Sequence, residues 1–236
     1  MDNASTPEEL VDLLPKYFTL CLVSVRNSGK SVLIQEIMKD IIKRKKADIV
    51  CVMSGSAGLN DDYNFLPSNL VMPFDDAILH KIWNNQVAIV QKDKTKARHI
   101  FIVFDDCLAN KEAIRNEILQ KIWVQGRHIF ISACILSQYP AFVLSPTIIG
   151  NSDLFLYSKL NRKALERVWS ATVGISFRDF MKISESIGGV NFTFMVINNY
   201  CKSPDPFQYL SYVRAALKKV KGQGEAKGEA KGETEQ

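Results

Sequence analysis

The sequence predicts an α/β fold in which a mostly parallel sheet is covered by helices on both faces. Short runs of β-branched and aromatic residues alternate with segments of helical periodicity from residue 17 to about residue 200. The run at 99–108, HIFIVFDDCL, is almost continuously apolar at its centre, as expected of a strand buried on both faces. Strands that alternate with helices in this way favour one sheet with right-handed crossovers.

The individual elements follow from the same patterns. The first predicted helix places Leu33, Ile37 and Ile41 on one face. The predicted helices span 31–46, 75–91, 111–126, 161–173 and 177–187. The predicted strands span 17–25, 48–55, 99–108, 128–138, 153–160 and 191–200. In such folds ligands bind at the carboxyl ends of the strands, so residues that follow a strand are the candidates for a site.

Composition suggests one main domain with short appendages. A chain of 236 residues can bury a sizeable core, and 47% of it is hydrophobic. The last sixteen residues, KGQGEAKGEAKGETEQ, repeat a G-E-A-K unit without large apolar side chains and predict disorder. We therefore expect a short polar lead with one amphipathic turn at 1–16, the main domain at 17–215 and a disordered tail at 216–236.

Charge and cysteine content restrict the class of protein. The net charge of +5 is a mild basic excess that suits a polyanionic partner without requiring one. The five cysteines are scattered without a C-x-x-C pair, which favours reduced thiols in an intracellular protein. The opening residues lack the pattern of a signal peptide. The uncharged segment 129–152 is interrupted by polar residues and prolines, which favours a buried strand and loop over a membrane span.

The segment SVRNSGKS, residues 24–31, ends like a phosphate-binding loop but has Ser24 where the G-x-x-x-x-G-K-[ST] pattern has glycine. It lies between the first strand and the first helix, where backbone N–H groups and the helix dipole favour an anion. Lys30 would reach the β- and γ-phosphates, and Ser31 would place its hydroxyl on Mg²⁺. Serine can follow the turn at position 24 if φ there is negative. The alternative is a chance G-K-S at a strand–helix junction.

A carboxylate at the end of a neighbouring strand, beside the strand of the phosphate loop, would complete such a site. Of three Asp-Asp pairs, the pair at 61–62 falls in a polar loop and the pair at 75–76 at a helix N-cap position. Asp105 and Asp106 instead end a buried strand, where two carboxylates are costly without a cation. We expect Asp105 to organise Mg²⁺ and Asp106 to hold the attacking water, the alternative being a solvated strand end. Gln138 ends the next strand, where it can sense a phosphate or orient water.

Three motifs, VRNSGKS, IFIVFDD and GRHIFISACILSQYP, together resemble the viral DNA-packaging ATPases of poxviruses and other large DNA viruses. These ATPases belong to the FtsK–HerA superfamily of DNA-pumping motors. The third motif is the specific one, because many unrelated P-loop proteins share the first two. The resemblance covers roughly residues 17–200 and implies a RecA-like P-loop NTPase fold.

The resemblance also implies roles for individual residues. Asp105 matches the metal-holding acid, Asp106 the water-activating acid and Gln138 the sensor, although many FtsK relatives have Glu in place of Asp106. Arg127 matches an arginine that can act near the γ-phosphate of a neighbouring subunit, and Arg26 is its rival for that role. The implied nucleotide-binding residues are Arg26, Asn27, Ser28, Gly29, Lys30, Ser31 and Val32, with Ser31 and Asp105 at the metal.

The implied function is ATP-driven, Mg²⁺-dependent translocation of double-stranded DNA into a preformed viral capsid. Implied partners are the DNA backbone, a homo-oligomeric ring of five or six subunits, and capsid or portal-vertex proteins. The implied location is a viral factory in the host cytoplasm or nucleus, or the virion. Two alternatives remain open: another P-loop phosphotransferase or NTPase, and a nucleotide-binding scaffold without turnover. Residues 110–113, NKEA, lack the Asp of the N-K-x-D motif by which GTPases bind the base.

Overall fold

A computed structural model describes residues 4–59, 61–107, 116–138, 145–172 and 174–216. Within these residues, nine strands form one sheet in the order β1-β9-β8-β7-β2-β6-β5-β3-β4. All described pairings are parallel except those of β8, which runs antiparallel to β7 and β9. The strands are β1 (Ala4–Ser5), β2 (Thr19–Ser24), β3 (Ile49–Ser54), β4 (Val71–Met72), β5 (Ile100–Asp105), β6 (Ile131–Ser137), β7 (Leu154–Ser158), β8 (Thr193–Asn198) and β9 (Leu210–Arg214).

Helices cover the sheet on both faces, which confirms the predicted fold class. The α-helices are α1 (Pro7–Leu13), α2 (Lys30–Lys43), α3 (Asp76–Lys92), α4 (Glu117–Gln125), α5 (Pro146–Gly150), α6 (Arg162–Thr172), α7 (Phe177–Gly188) and α8 (Pro206–Tyr209), with 3₁₀ turns at Ser68–Leu70, Lys94–Lys96 and Gly126–Ile129. One core cluster joins the sheet to α1 and α2 through residues such as Leu10 and Ile34. The other joins it to α3, α4, α6 and α7 through Trp83, Ile122, Leu165 and Phe180. None of the helices in the described ranges is long and apolar enough to cross a membrane.

The order of the central strands corrects one expectation. The Asp-bearing strand β5 was expected beside the strand of the phosphate loop, but β6 lies between β2 and β5. Both pairings are parallel and in register, with Val23 opposite Ser137 and Asp105 opposite Leu136. The carboxyl ends of all three strands therefore meet at one edge of the sheet.

Several short elements carry no strong sequence pattern. The segment expected to be a polar lead contributes β1, which pairs with β9, and α1, whose Leu10 and Val11 are buried. The segment 128–130, expected to open a strand, instead continues the 3₁₀ turn and ends at Phe130 with a φ of 62°. The predicted tail beyond residue 216 and the first part of the predicted helix at 111–126 lie outside the described residues. The boundaries of the lead and tail stay predictions.

Candidate functional site

The phosphate loop connects the end of β2 to the start of α2. Ser24 is the last residue of β2, is fully buried, and pairs in register with Ser158 of β7. Its backbone is therefore that of an ordinary strand residue, which a side chain tolerates. Positive φ values occur later in the loop, at Asn27 with 59° and Gly29 with 92°. The missing first glycine thus removes no conformation that the loop uses.

Gly29, in contrast, is required for two physical reasons. Its φ lies in the region that side chains disfavour. A Cβ at this position would also lie 3.0 Å from Cδ1 of Phe192 and 3.3 Å from Cβ of Ala215. The segments that flank β8 and β9 therefore pack directly against the loop.

The side chain of Lys30, the first residue of α2, crosses the phosphate loop and contacts its first residues. Its Nζ donates hydrogen bonds to the backbone carbonyl oxygens of Ser24, at 2.8 Å, and Val25, at 2.9 Å. Burial lowers the pKa of Lys30, and the nearby carboxylates of Asp106 and Asp105 act in the opposite direction. The ammonium group is thus held beside two acidic side chains, at the start of a helix that can bind phosphate.

Asp105, the last residue of β5, is a buried carboxylate, 6% exposed. The hydroxyl of Tyr63 donates to its Oδ2 at 2.7 Å. The pKa of Asp105 is raised to about 6, chiefly by burial. The Tyr63 hydrogen bond and Lys30 act to lower it, and the charges of Asp106 and Asp62 act to raise it. A carboxylate in this setting gains more from a cation than a solvated one would.

Asp106 and Gln138 form a pair at the carboxyl edge of the sheet. Asp106 follows β5 with a φ of 49°, and Gln138 follows the last residue of β6. Nε2 of Gln138 donates to Oδ2 of Asp106. A carboxylate and an amide that share a hydrogen bond can together orient a water molecule.

These side chains line one cavity of about 360 Å³. Its lining residues are Arg26, Asn27, Ser28, Gly29, Lys30, Ser31, Val32, Ser56, Asp62, Asp105, Asp106 and Gln138. The Oγ atom of Ser28 is buried and has no hydrogen-bond partner among the described residues. Such a donor suits a phosphate oxygen. The structure therefore brings the predicted loop, both acids and the predicted sensor to the same space.

The oxygen donors in this cavity fit a magnesium ion that is shared with a nucleotide. Ser31 and Asp105 offer a hydroxyl and a buried carboxylate, which are hard oxygen ligands of the kind that Mg²⁺ prefers. The described residues contain no group of three or more His, Cys, Asp or Glu side chains placed to hold a metal. Mg²⁺ in phosphate-transferring sites commonly has one or two carboxylates, with phosphates and water completing its shell.

The two candidate arginines lie at opposite edges of the sheet. Arg26 is exposed and lines the cavity. Arg127 lies in the 3₁₀ turn that precedes β6, beside Asp153, and so at the amino edge. Since β6 has seven residues, it separates Arg127 from Gln138 by about 23 Å at about 3.3 Å per residue. Within one chain, Arg127 is therefore not part of the cavity.

Sequence reasoning missed three residues of the site, namely Ser56 and Asp62, which line the cavity, and Tyr63. The pair at 61–62 was interpreted as part of a polar loop, but Asp62 lines the cavity and Tyr63 contacts Asp105. Tyr63 is separated from Asp105 by 42 positions and has no motif around it. The only available signal was an aromatic residue directly after the two acids.

Part of the chain is similar in sequence to a viral protein. No protein-family model matches the chain. It is 27% identical over 145 residues to the "Uncharacterized protein 015R" of Frog virus 3 (isolate Goorha), a match that covers 60% of this chain and 44% of that protein. The matched region is thus less than half the length of this relative.

Solved structures are more informative about the fold. The genome packaging NTPase B204 from Sulfolobus turreted icosahedral virus 2, in complex with ATP-gammaS, aligns with a TM-score of 0.60 at 14% identity, over 86% of this chain and 100% of that chain. The cytoplasmic domain of the Thermomonospora curvata Type VII Secretion ATPase EccC aligns with a TM-score of 0.62 at 12% identity, over 91% and 28%. The pCW3 conjugation coupling protein TcpA, with ATPgS, aligns with a TM-score of 0.55 at 16% identity, over 77% of this chain and 57% of that chain. The chain thus has the fold of the P-loop NTPases.

Proposed function

We propose that this chain hydrolyses ATP to move double-stranded DNA, and that it packages a viral genome into a preformed capsid. The observation that carries the ATPase part is the meeting of Lys30, Asp105, Asp106 and Gln138 in one cavity beside a phosphate loop. The DNA part is supported by the similarity to a genome packaging NTPase and a conjugation coupling protein, and by the relative in Frog virus 3.

The residues divide the chemistry between them. Lys30 exchanges its two backbone carbonyl partners for oxygens of the β- and γ-phosphates. Ser31 and Asp105 would hold Mg²⁺, which would neutralise charge on the phosphates. Asp106 orients the attacking water and accepts its proton, and Gln138 fixes the carboxylate that does so. Catalysis in such a site is mainly positioning and charge stabilisation.

The proposed assembly is a ring of five or six subunits on the DNA. Arg127 lies about the length of a strand away from its own cavity, so it would act on the nucleotide of a neighbouring subunit. Contacts to DNA would be mainly to the phosphate backbone and therefore weakly dependent on sequence. Capsid or portal-vertex proteins would be the other partners, in a viral factory or in the virion.

The proposal is tested by measuring ATP turnover with and without duplex DNA for the wild type and two variants. We expect Lys30→Ala to lose nucleotide binding and turnover together. We expect Asp106→Asn to retain binding of MgATP but to lose turnover by at least about a hundredfold, because its amide cannot accept the proton. Duplex DNA is expected to stimulate turnover of the wild type but not of these two variants.

Lys43→Ala is the matched control, because Lys43 is an exposed lysine at the end of the same helix. It should behave as the wild type. Turnover that never responds to DNA would favour a different P-loop phosphotransferase or NTPase. Tight ATP binding without turnover, in the presence of DNA, would favour a scaffold.

A further inference from the structure

The loop after β3 contacts Asp105 at two points. At its start, the backbone N–H of Gly55 donates to the carbonyl oxygen of Asp105 at 3.0 Å. A side chain at position 55 would meet the carbonyl of Asp106 at 3.1 Å, so the two backbones are in close contact. Further along, Tyr63 donates to the side chain of Asp105. The loop therefore fixes both the backbone and the carboxylate of this residue.

We propose that Tyr63 is a positioning residue that orients the Asp105 carboxylate for the magnesium–nucleotide complex, an inference that rests on the proposed function. The torsion that turns a carboxylate about its Cβ–Cγ bond is broad, so packing alone fixes it weakly. A donor on Oδ2 restricts this rotation and so determines where Oδ1 points. In metal sites, such outer partners commonly change metal affinity 10–100-fold when removed.

The surroundings of Tyr63 suit this role. The side chain is 4% exposed, so its hydroxyl exchanges little with water. Nε2 of Gln35 in α2 donates to Oδ1 of the neighbouring Asp62 at 3.4 Å. Helix α2 is the helix that begins with Lys30. The described part of the loop is thus held between the phosphate-binding helix and the acidic strand, which places the hydroxyl reproducibly.

A purely structural role for Tyr63 makes a different prediction. Its ring packs in the core cluster beneath α2, with Leu66 and Ile34 in the same cluster. Tyr63→Phe keeps this ring and removes only the hydroxyl. If the ring alone mattered, the variant would bind the magnesium–nucleotide complex as the wild type does.

The experiment compares binding of ADP in excess EDTA with binding of MgADP, by calorimetry, for the wild type and Tyr63→Phe. Metal affinity at the bound nucleotide is obtained separately by titrating Mn²⁺ and following its paramagnetic resonance signal. We expect metal affinity in the variant to fall by about tenfold, in line with other outer partners of metals. Binding of metal-free ADP should stay within about twofold of the wild type.

Tyr157→Phe is the matched control. Tyr157 is also a buried tyrosine, 3% exposed, and belongs to the other core cluster. Its hydroxyl is 2.7 Å from Oγ of Ser184. The Tyr157→Phe substitution should leave metal affinity unchanged. In an Asp105→Asn background, Tyr63→Phe should cause no further loss, because the carboxylate that it orients is gone.

The outcomes separate this inference from the proposed function. Unchanged metal affinity in Tyr63→Phe, or an equal loss for ADP and MgADP, would overturn the positioning role while leaving the ATPase proposal intact. Failure of the wild type to bind either ligand would overturn the proposed function and this inference with it.

Discussion

Among single residues, Asp105 is a carboxylate whose burial opposes folding. Its side chain is buried, and the carboxylates of Asp62 and Asp106 are close enough to raise its pKa further. The hydrogen bond from Tyr63 and the charge of Lys30 compensate in part. The proposed metal ligand thus carries a charge that the folded chain alone stabilises poorly.

Replacing Asp105 by Asn is therefore expected to stabilise the protein in the absence of metal and nucleotide. The pKa of Asp105 is about 6 in the folded chain, against an ordinary value of 3.8. The contribution of this carboxyl group to the free energy of unfolding is thus fully present below about pH 4 and is lost as the pH rises through about 6. Urea unfolding in EDTA at pH 8 should give Asp105→Asn a free energy of unfolding higher by up to about 3 kcal/mol.

At pH 4 the difference should largely vanish, because the carboxyl group is then mostly protonated when folded. Asp61→Asn, at an exposed position in the loop after β3, is the control, and its free energy of unfolding should change little at either pH. Equal stability of wild type and Asp105→Asn at pH 8 would show that the buried charge is already compensated.

Residues that follow buried strands could be located from the sequence, whereas residues brought in by loops could not. Lys30, Asp105 and Gln138 each lie directly at the end of a strand or start of a helix, so the parallel sheet gathers them at one edge. Tyr63 reaches the site through a loop whose path depends on tertiary packing. No local pattern encodes such a contact.

At the scale of elements, helix α3 is attached to the sheet by a buried polar side chain. Nε2 of Gln86, in a side chain that is 3% exposed, donates to the carbonyl oxygens of Arg98 at 2.8 Å and Ile129 at 3.0 Å. These carbonyls lie just before β5 and β6, outside the regular pairing of the strands. One side-chain amide therefore provides a hydrogen-bond donor to two backbone carbonyl groups.

Gln86→Leu is expected to lower the free energy of unfolding by about 1–3 kcal/mol, because it leaves these carbonyl groups without their donor. Gln91→Leu, an exposed position in the same helix, should change it by less than about 0.5 kcal/mol. Urea denaturation of both variants measures the difference. A loss of the same size in both would contradict the role assigned to the buried amide.

Long elements were predictable because their periodicity extends over many residues, and short ones were not. Six strands, β2, β3, β5, β6, β7 and β8, and four helices, α2, α3, α6 and α7, match predicted elements, with ends that differ by at most three residues. The strands β1 and β4 have two residues each, so their pairing depends on a partner rather than on a pattern. β9 was missed because only Leu210 and Val213 of its five residues are buried, which gives neither a continuous apolar run nor a strict alternation.

At the scale of the whole molecule, the two ends of β6 separate two parts of the proposed catalytic machinery. Lys30 and Gln138 lie at the carboxyl edge, and Arg127 lies at the amino edge. A head-to-tail arrangement of subunits places one such edge against the other, and a rotation that closes gives a ring. The geometry of one chain is thus compatible with sites completed between subunits.

Mixing two inactive variants tests this arrangement. We expect Arg127→Ala to lower turnover by about a thousandfold, as loss of an arginine finger does, without loss of ATP binding. Because Arg127→Ala keeps its phosphate loop and Lys30→Ala keeps its arginine, mixed rings should contain some complete sites. ATP turnover of the mixture should therefore exceed that of either variant.

Arg26→Ala provides the contrasting mixture. Arg26 lies in the same loop as Lys30, so an Arg26→Ala subunit and a Lys30→Ala subunit cannot complete one another's sites if Arg26 acts within its own chain. Absence of recovery with Arg127→Ala, although the subunits associate, would count against a role for Arg127 between subunits.

The pairing of β1 with β9 also has a consequence for the order of events during synthesis. Ala4 pairs with Tyr212, and Phe18 donates its backbone N–H to the hydroxyl of Ser132. These N-terminal residues therefore cannot form their native contacts until residues far along the chain have been synthesised. Ala215, which packs against the Gly29 position, is made later still. Contacts so distant along the chain close slowly. The phosphate loop therefore acquires its full packing only when translation has passed residue 215, and a ribosome-bound chain halted before that point would present the loop incomplete.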